Sequence, residues 1–140
     1  MKKILTLVTL LLFACSPDGN TSNNPYLQNI NFSKDINTNL PSYNSLKFVS
    51  NPVIITDPGV GIKGIVVMKV GEGAYNAFEL SCPNHYPSSC SQMTINGINV
   101  VCSCEDYEYS LYTGGSINGA QYPLRFYRTE IMGDIIRVYN

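Results

Sequence analysis

The residues of this 140-residue chain best equipped for chemistry are five cysteines and one histidine. Four of the cysteines fall in two short segments. The first is Cys82-Pro83-Asn84-His85-Tyr86-Pro87-Ser88-Ser89-Cys90, and the second is Cys102-Ser103-Cys104-Glu105-Asp106-Tyr107. Twenty positions separate Cys82 from Cys102. Thiolates are soft metal ligands, and paired thiols in an oxidising compartment form disulfides. An even set of Cys82, Cys90, Cys102 and Cys104 is compatible with either chemistry. As a metal site, Cys82, His85, Cys102 and Cys104 supply four ligands of the kind zinc takes. Outside the cytoplasm such thiols tend to oxidise. Cys82 and His85 also form a nucleophile and base three positions apart. A working pair of that kind needs a third group to orient the base, and the sequence marks none, so no catalytic residue is assigned.

The fifth cysteine, Cys15, sets the compartment. Lys2 and Lys3 precede an uncharged run from Ile4 to Ala14, and Cys15 follows at once. A positive start, an apolar core and a small residue before the cut form a secretory signal. The run is too short to cross a bilayer, which takes ~20 residues. The pattern resembles the bacterial lipobox, in which the signal is removed and the exposed cysteine is acylated. The sequence therefore predicts a signal peptide over 1–14, lipid on Cys15, and a mature protein held at the cell envelope outside the cytoplasm. Several acyl chains hold firmly where one gives only marginal binding.

With Lys2 and Lys3 removed, seven basic side chains face ten acidic ones. No basic stripe remains for nucleic acid, which needs clustered Lys and Arg. A stretch from Ser16 to Asn24, rich in Asn, Ser and Pro, reads as a tether. Tyr26, Leu27, Ile30, Phe32, Ile36 and Leu40 make the following stretch too apolar for a linker, so 15–45 is expected to be a lipidated tether followed by an ordered arm.

From residue 46 the texture is β. Short apolar runs at Leu46–Val49 and Val53–Thr56 flank Asn51-Pro52. Gly64–Val70 and Ala74–Leu80 read as strands about a Gly71-Glu72-Gly73 turn. Met93–Ile95 and Ile98–Cys102 flank Asn96-Gly97, a strong short-range hairpin signal. Tyr107, Tyr109 and Leu111 alternate before a Thr113-Gly114-Gly115 turn. Leu124–Ile131 and Ile135–Tyr139 close the chain about Gly133-Asp134. Short strands with regular turns and no sustained helical period predict an all-β domain of small antiparallel sheets over 46–140. Each cysteine segment then lies at a strand end.

In this layout the chain resembles the Rieske iron–sulfur domain, in which a Cys-x-His loop and a Cys-x-x-His loop sit at the tips of two hairpins. Two thiolates hold one iron of a [2Fe–2S] cluster and two imidazoles the other. Cys102-Ser103-Cys104 is similar to the family's Cys-Pro-Cys, and Tyr122-Pro123-Leu124 to the segment that covers the cluster. The resemblance implies an all-β Rieske-like fold, and by descent an electron carrier with a redox partner rather than a stand-alone enzyme. It also marks Cys82, Asn84, Cys102 and Glu105 as the positions equivalent to ligands, with His85 beside them as a metal-ligand candidate that could complete a set of Cys82, His85, Cys102 and Glu105. Two departures follow. Asn84 stands where the first loop places its His, with His85 one position late, and Glu105 stands where the second loop places its own. Asn is a weak neutral donor, and a carboxylate suits hard cations better than a soft cluster iron. Respiratory members of the family carry a second cysteine in each loop, and these pair. Cys104 matches that position, and Cys90 lies in the right loop a few residues late. Cys82 and Cys102, without iron, can oxidise to a second bridge if their α-carbons come within ~7 Å. The sequence thus favours a cluster-free, disulfide-stapled binding or structural module with no cofactor. A [2Fe–2S] electron-transfer protein is the alternative. Glu105, Asp106 and Glu108 form an acidic group beside the second loop, expected to be a solvated face.

Overall fold

The structure, a computed structural model, describes residues 23–140. The signal peptide, Cys15 and most of the tether lie outside the described residues. Nine strands form two antiparallel sheets: β1 (Ser33–Asn37), β2 (Val53–Ile55), β3 (Ile65–Gly71), β4 (Ala74–Glu79), β5 (Thr94–Asn96), β6 (Asn99–Val101), β7 (Glu108–Ser110), β8 (Phe126–Met132) and β9 (Ile135–Tyr139). The larger sheet has the order β1-β9-β8-β4-β3-β2, and the smaller is β5-β6-β7.

The β3–β4 hairpin is the spine. Ile65-Val66-Val67-Met68 is continuously apolar because both faces of this strand are covered, as in any strand buried on two sides. Val66, Met68, Phe78 and Leu80 pack with Met93, Val100, Tyr109, Leu111 and Leu124, a core that also takes in Cys82 and Cys102. Ile65, Val67 and Ala77 face the other way, onto Ile36, Leu46, Ile55, Tyr127, Ile136 and Val138. One hairpin therefore divides two cores, and the first reaches the cysteines.

One turn sits one residue along from the Asn96-Gly97 dipeptide that announces it, and the other falls on Gly133-Asp134 as expected. Asn96 pairs with Asn99, leaving Gly97-Ile98 as the loop, and Met132 pairs with Ile135, leaving Gly133-Asp134. In both, glycine takes the first loop position with φ near +60° (63° and 61°), where a Cβ is disfavoured.

Two segments depart from expectation. Leu46–Val49 is not a strand but part of a 3-10 turn over Asn44–Lys47. Leu46 alone is buried there, while Phe48 and Val49 are 66% and 41% exposed. The arm, in turn, contributes a strand: β1 pairs along its whole length with β9, from Ser33 opposite Tyr139 to Asn37 opposite Ile135. The larger sheet therefore draws its edge strand from residues assigned by pattern to the arm. Ile36 is the one inward side chain of that polar strand.

The second core contains an acid. Glu79, at the end of β4, has no exposed surface. Its carboxylate accepts hydrogen bonds from the amides of Ile62 (2.8 Å), Lys63 (3.0 Å) and Ser81 (2.9 Å) and from the Tyr127 hydroxyl (2.6 Å). A buried carboxylate is tolerable only when saturated in this way. The loop before β3 wraps onto it closely. A Cβ on Gly61 would lie 2.5 Å from the Gly64 carbonyl oxygen and 2.9 Å from Glu79 Oε2, at a φ of +67°. Burial, and then the neighbouring Glu79, push the Tyr127 phenol well above its ordinary range.

Glu79→Gln replaces an acceptor by a donor facing backbone amides, and is expected to cost about 3 kcal/mol of unfolding free energy. Tyr127→Phe removes one bond to the same carboxylate and is expected to cost about 2 kcal/mol. Urea denaturation of the two variants checks the order.

Candidate functional site

Both cysteine loops are closed at their bases by main-chain bonds. The first begins just beyond β4, where the Cys82 amide donates to the Ser91 carbonyl (2.8 Å) and the Met93 amide to the Leu80 carbonyl (2.9 Å). The second spans the β6–β7 turn, with the Cys102 amide on the Tyr107 carbonyl (2.8 Å) and the Asp106 amide on the Cys102 carbonyl (2.9 Å). The bases of both loops, at Cys82 and Cys102, pack into the first core.

Two disulfides join them. Cys82 bonds Cys102, with α-carbons 5.7 Å apart, and Cys90 bonds Cys104, with α-carbons 5.4 Å apart. All four cysteines marked as disulfide candidates are thus paired, each bridge running from one loop to the other. They differ in surroundings. Cys82 and Cys102 have no exposed surface. Cys90 is exposed and Cys104 half-buried. Ser88 lies beside the outer bridge, its hydroxyl 3.4 Å from Cys90 Sγ and 3.9 Å from Cys104 Sγ.

His85 turns toward the inner bridge. Its Nδ1 lies 2.9 Å from the Tyr86 carbonyl oxygen and its Nε2 3.5 Å from Cys102 Sγ. A carbonyl can only accept, so Nδ1 donates to it, and Nε2 faces the Cys102 sulfur. One donor atom from each of Cys82, His85, Cys102 and Cys104 lies within 4.8 Å of the others. That is the four-ligand set of the zinc reading, with its three sulfurs now committed to S–S bonds.

Asn84 and Glu105 do not join this set. The Asn84 side chain donates to the Tyr109 hydroxyl (2.8 Å) and the Tyr122 carbonyl (2.9 Å), and accepts from the Tyr122 amide (2.8 Å). It is a clamp between the first loop and the segment that covers it. Glu105 is exposed, as is Asp106. Glu108 accepts from Asn96 (3.2 Å) and Asn99 (2.8 Å) on the adjoining strands, and so belongs to the small sheet's own surface. The residues present do not fit a Rieske cluster. Two imidazoles are required, the chain has one histidine, and the two substituted positions offer no convergent donor.

Three contacts to the tip come from the arm and were not marked as site residues. Asn24 donates to the Pro83 carbonyl (2.7 Å). The Tyr26 ring packs edge-on against Tyr86 (5.2 Å between centroids) and Tyr122 (5.8 Å). The buried Arg125 guanidinium donates to the carbonyls of Leu27 and Gln28, fixing the arm where it crosses β8. The apolar content of the arm was the one signal available for this. Tyr109 lies beneath the tip with its phenol pushed up to about 12, first by burial; the bond from Asn84 acts in the opposite sense.

No protein-family model matches the chain, and no curated protein matches it in sequence. Solved structures do. A chain in the complex of reduced oxygenase and oxidized ferredoxin of carbazole 1,9a-dioxygenase superposes with a TM-score of 0.50 at 17% identity, over 79% of this chain and 93% of that one. The plasma membrane Rieske protein of the cyanobacterium Synechocystis PCC 6803 gives 0.49 at 24% identity, over 62% and 84%. A ferredoxin of Sphingomonas yanoikuyae gives 0.46 at 15% identity, over 66% and 88%. The fold is all-β and Rieske-like.

Asn84→Ala is expected to release the covering segment at Tyr122 and lower unfolding free energy by about 2 kcal/mol, read by urea denaturation. Tyr109 adds a pH dependence. Its folded pKa lies above the usual value near 10. Its contribution is therefore complete below about pH 10 and is lost as pH rises toward about 12. Stability is expected to fall across that window, and less steeply in Tyr109→Phe, in melts paired with phenolate absorbance.

Proposed function

We propose that this chain is a lipid-anchored protein of the cell envelope whose Rieske-like domain is a cluster-free, disulfide-stapled module for binding a partner protein. The observation that carries this reading is the use made of the four ligand-equivalent positions. Cys82 and Cys102 are spent on each other, Asn84 holds Tyr109 and Tyr122, and Glu105 faces solvent. A chain with one histidine has no second imidazole to replace what Asn84 and Glu105 cannot give. Two bridges between the loops also suit an oxidising location, which the Lys2-Lys3 start, the apolar run and Cys15 support from the sequence.

A partner at the tip is favoured by its surface. Tyr86 is 70% exposed beside His85, on a loop held by two disulfides and by the arm. A rigid, aromatic, half-apolar tip is the kind of surface that protein interfaces use, because little side-chain freedom is lost on docking. The oxygenase–ferredoxin complex similar in fold is itself a protein–protein assembly. We carry over from it only the class of partner, a protein, and no substrate.

The test is iron and thiol quantitation on the full chain purified from membranes without reductant. The expected result is no iron, no thiols before reduction, and four after reduction. Visible absorption with two irons per chain would establish the electron-carrier alternative instead. Separately, Cys15→Ser is expected to move the protein out of the membrane fraction; an unchanged distribution removes the lipid anchor.

A further inference from the structure

The two bridges stand in series. The inner one, Cys82–Cys102, has no surface for an external thiolate to reach, whereas Cys90 of the outer one is exposed. Thiol–disulfide exchange requires direct approach of a thiolate to sulfur, so an outside donor meets the outer bridge first. Cys104, the other half of that bridge, has its Sγ within 4.8 Å of both inner sulfurs and lies two positions from Cys102 along the chain. Once released, it is the nucleophile placed to open the inner bridge.

We propose that the tip is a thiol–disulfide relay that accepts two electrons from a dithiol at Cys90 and delivers them to Cys102. This rests on the cluster-free reading above and adds an activity to it. In the first step a donor thiolate attacks Cys90 Sγ. The Cys90–Cys104 bond breaks, and Cys104 leaves with the electron pair as thiolate. The donor's second thiol then displaces Cys90 from the mixed disulfide, so the donor is oxidised and Cys90 becomes a thiol. In the second step the Cys104 thiolate attacks Cys82 Sγ. A Cys82–Cys104 bond forms, the Cys82–Cys102 bond breaks, and Cys102 leaves and takes up a proton. Two electrons and two protons from the donor end on Cys90 and Cys102.

Two side chains serve the exchange. Ser88 Oγ, 3.4 Å from Cys90 Sγ and 3.9 Å from Cys104 Sγ, can donate to the departing Cys104 thiolate. His85 Nε2, which faces Cys102 Sγ while Nδ1 donates to Tyr86, receives the Cys102 thiol proton in a hydrogen bond across 3.5 Å. The relay thus uses the histidine and all four cysteines of the two loops, with the donor kept outside the buried core.

Cys90→Ser tests the second step alone, because it leaves Cys104 without a partner and needs no donor. The full-length variant is quenched in acid, unfolded, and alkylated with N-ethylmaleimide for peptide mapping. The expected result is label on both Cys102 and Cys104; label confined to Cys104 overturns the relay. The first step is read in Cys90→Ser/Cys104→Ser, treated with dithiothreitol under native conditions. Its inner bridge is expected to be reduced about tenfold or more slowly than in the wild type, and an equal rate overturns the relay. Iron is measured in the same samples. Iron present overturns the cluster-free reading and the relay together, whereas iron-free protein labelled only at Cys104 overturns the relay alone.

Discussion

Cys82 and Cys102 follow strands β4 and β6 of different sheets, and the bond between them sets where everything above it can lie. Below that bond is a packed core of Phe78, Met93, Tyr109 and Leu111. Above it, from Asn84 to Cys90, the first loop has no buried side chain. Ordering such a segment costs about 1–2 kcal/mol per residue in backbone entropy, with little burial to offset it. Closing loops of 20 and 14 residues recovers on the order of 3 kcal/mol each by restricting the unfolded chain. The rest comes from bonds that reach in from elsewhere: Asn84 to Tyr122, Asn24 to Pro83, and the Tyr26 ring on Tyr86. The tip is held covalently and by distant polar contacts, not by a core of its own.

On the opposite side of the β3–β4 hairpin, Glu79 does comparable work for the second core. It gathers three amides and a phenol in the interior, and so fixes the loop before β3 and β8 relative to β4. Arg125, next to β8, carries the connection outward to the arm at Leu27 and Gln28. The arm then reaches the tip through Tyr26. A line of polar contacts therefore runs from one core, along the arm, to the cysteine loops, while the other core meets those loops directly.

The parts legible in the sequence were those with a local physical cause. Glycine in the hairpin turns is dictated by φ, and the unbroken apolar run of β3 by burial on both faces. Two cysteine loops follow from spacing alone. The parts that escaped depend on remote partners. Strand β1 is Ser-Lys-Asp-Ile-Asn, with only Ile36 turned inward, so its edge pairing to β9 leaves almost no periodic trace. Leu46–Val49 is apolar without being a strand, because only Leu46 enters a core. Asn84 reads as a lost ligand, yet its role is set by Tyr122, 38 positions on, which no local pattern announces. Glu105 carries the opposite lesson. Its place in the motif suggested a donor, but the turn at Asp106, with φ of +56°, belongs to a loop that leaves Glu105 in solvent.

These substitutions form a consistent set rather than a scatter of losses. Asn84 makes three hydrogen bonds, one to Tyr109 and two to Tyr122. Those bonds hold the covering segment to the first loop. The inner cysteines are bonded to each other at an α-carbon separation of 5.7 Å, within the ordinary range for a disulfide. The outer pair is the solvent-facing one, with Cys90 exposed and Cys104 half-buried. A fold that places two thiolates side by side for iron needs little change to join them covalently. The geometry demanded of two ligands on one metal and that demanded of a disulfide overlap closely enough for one scaffold to serve both.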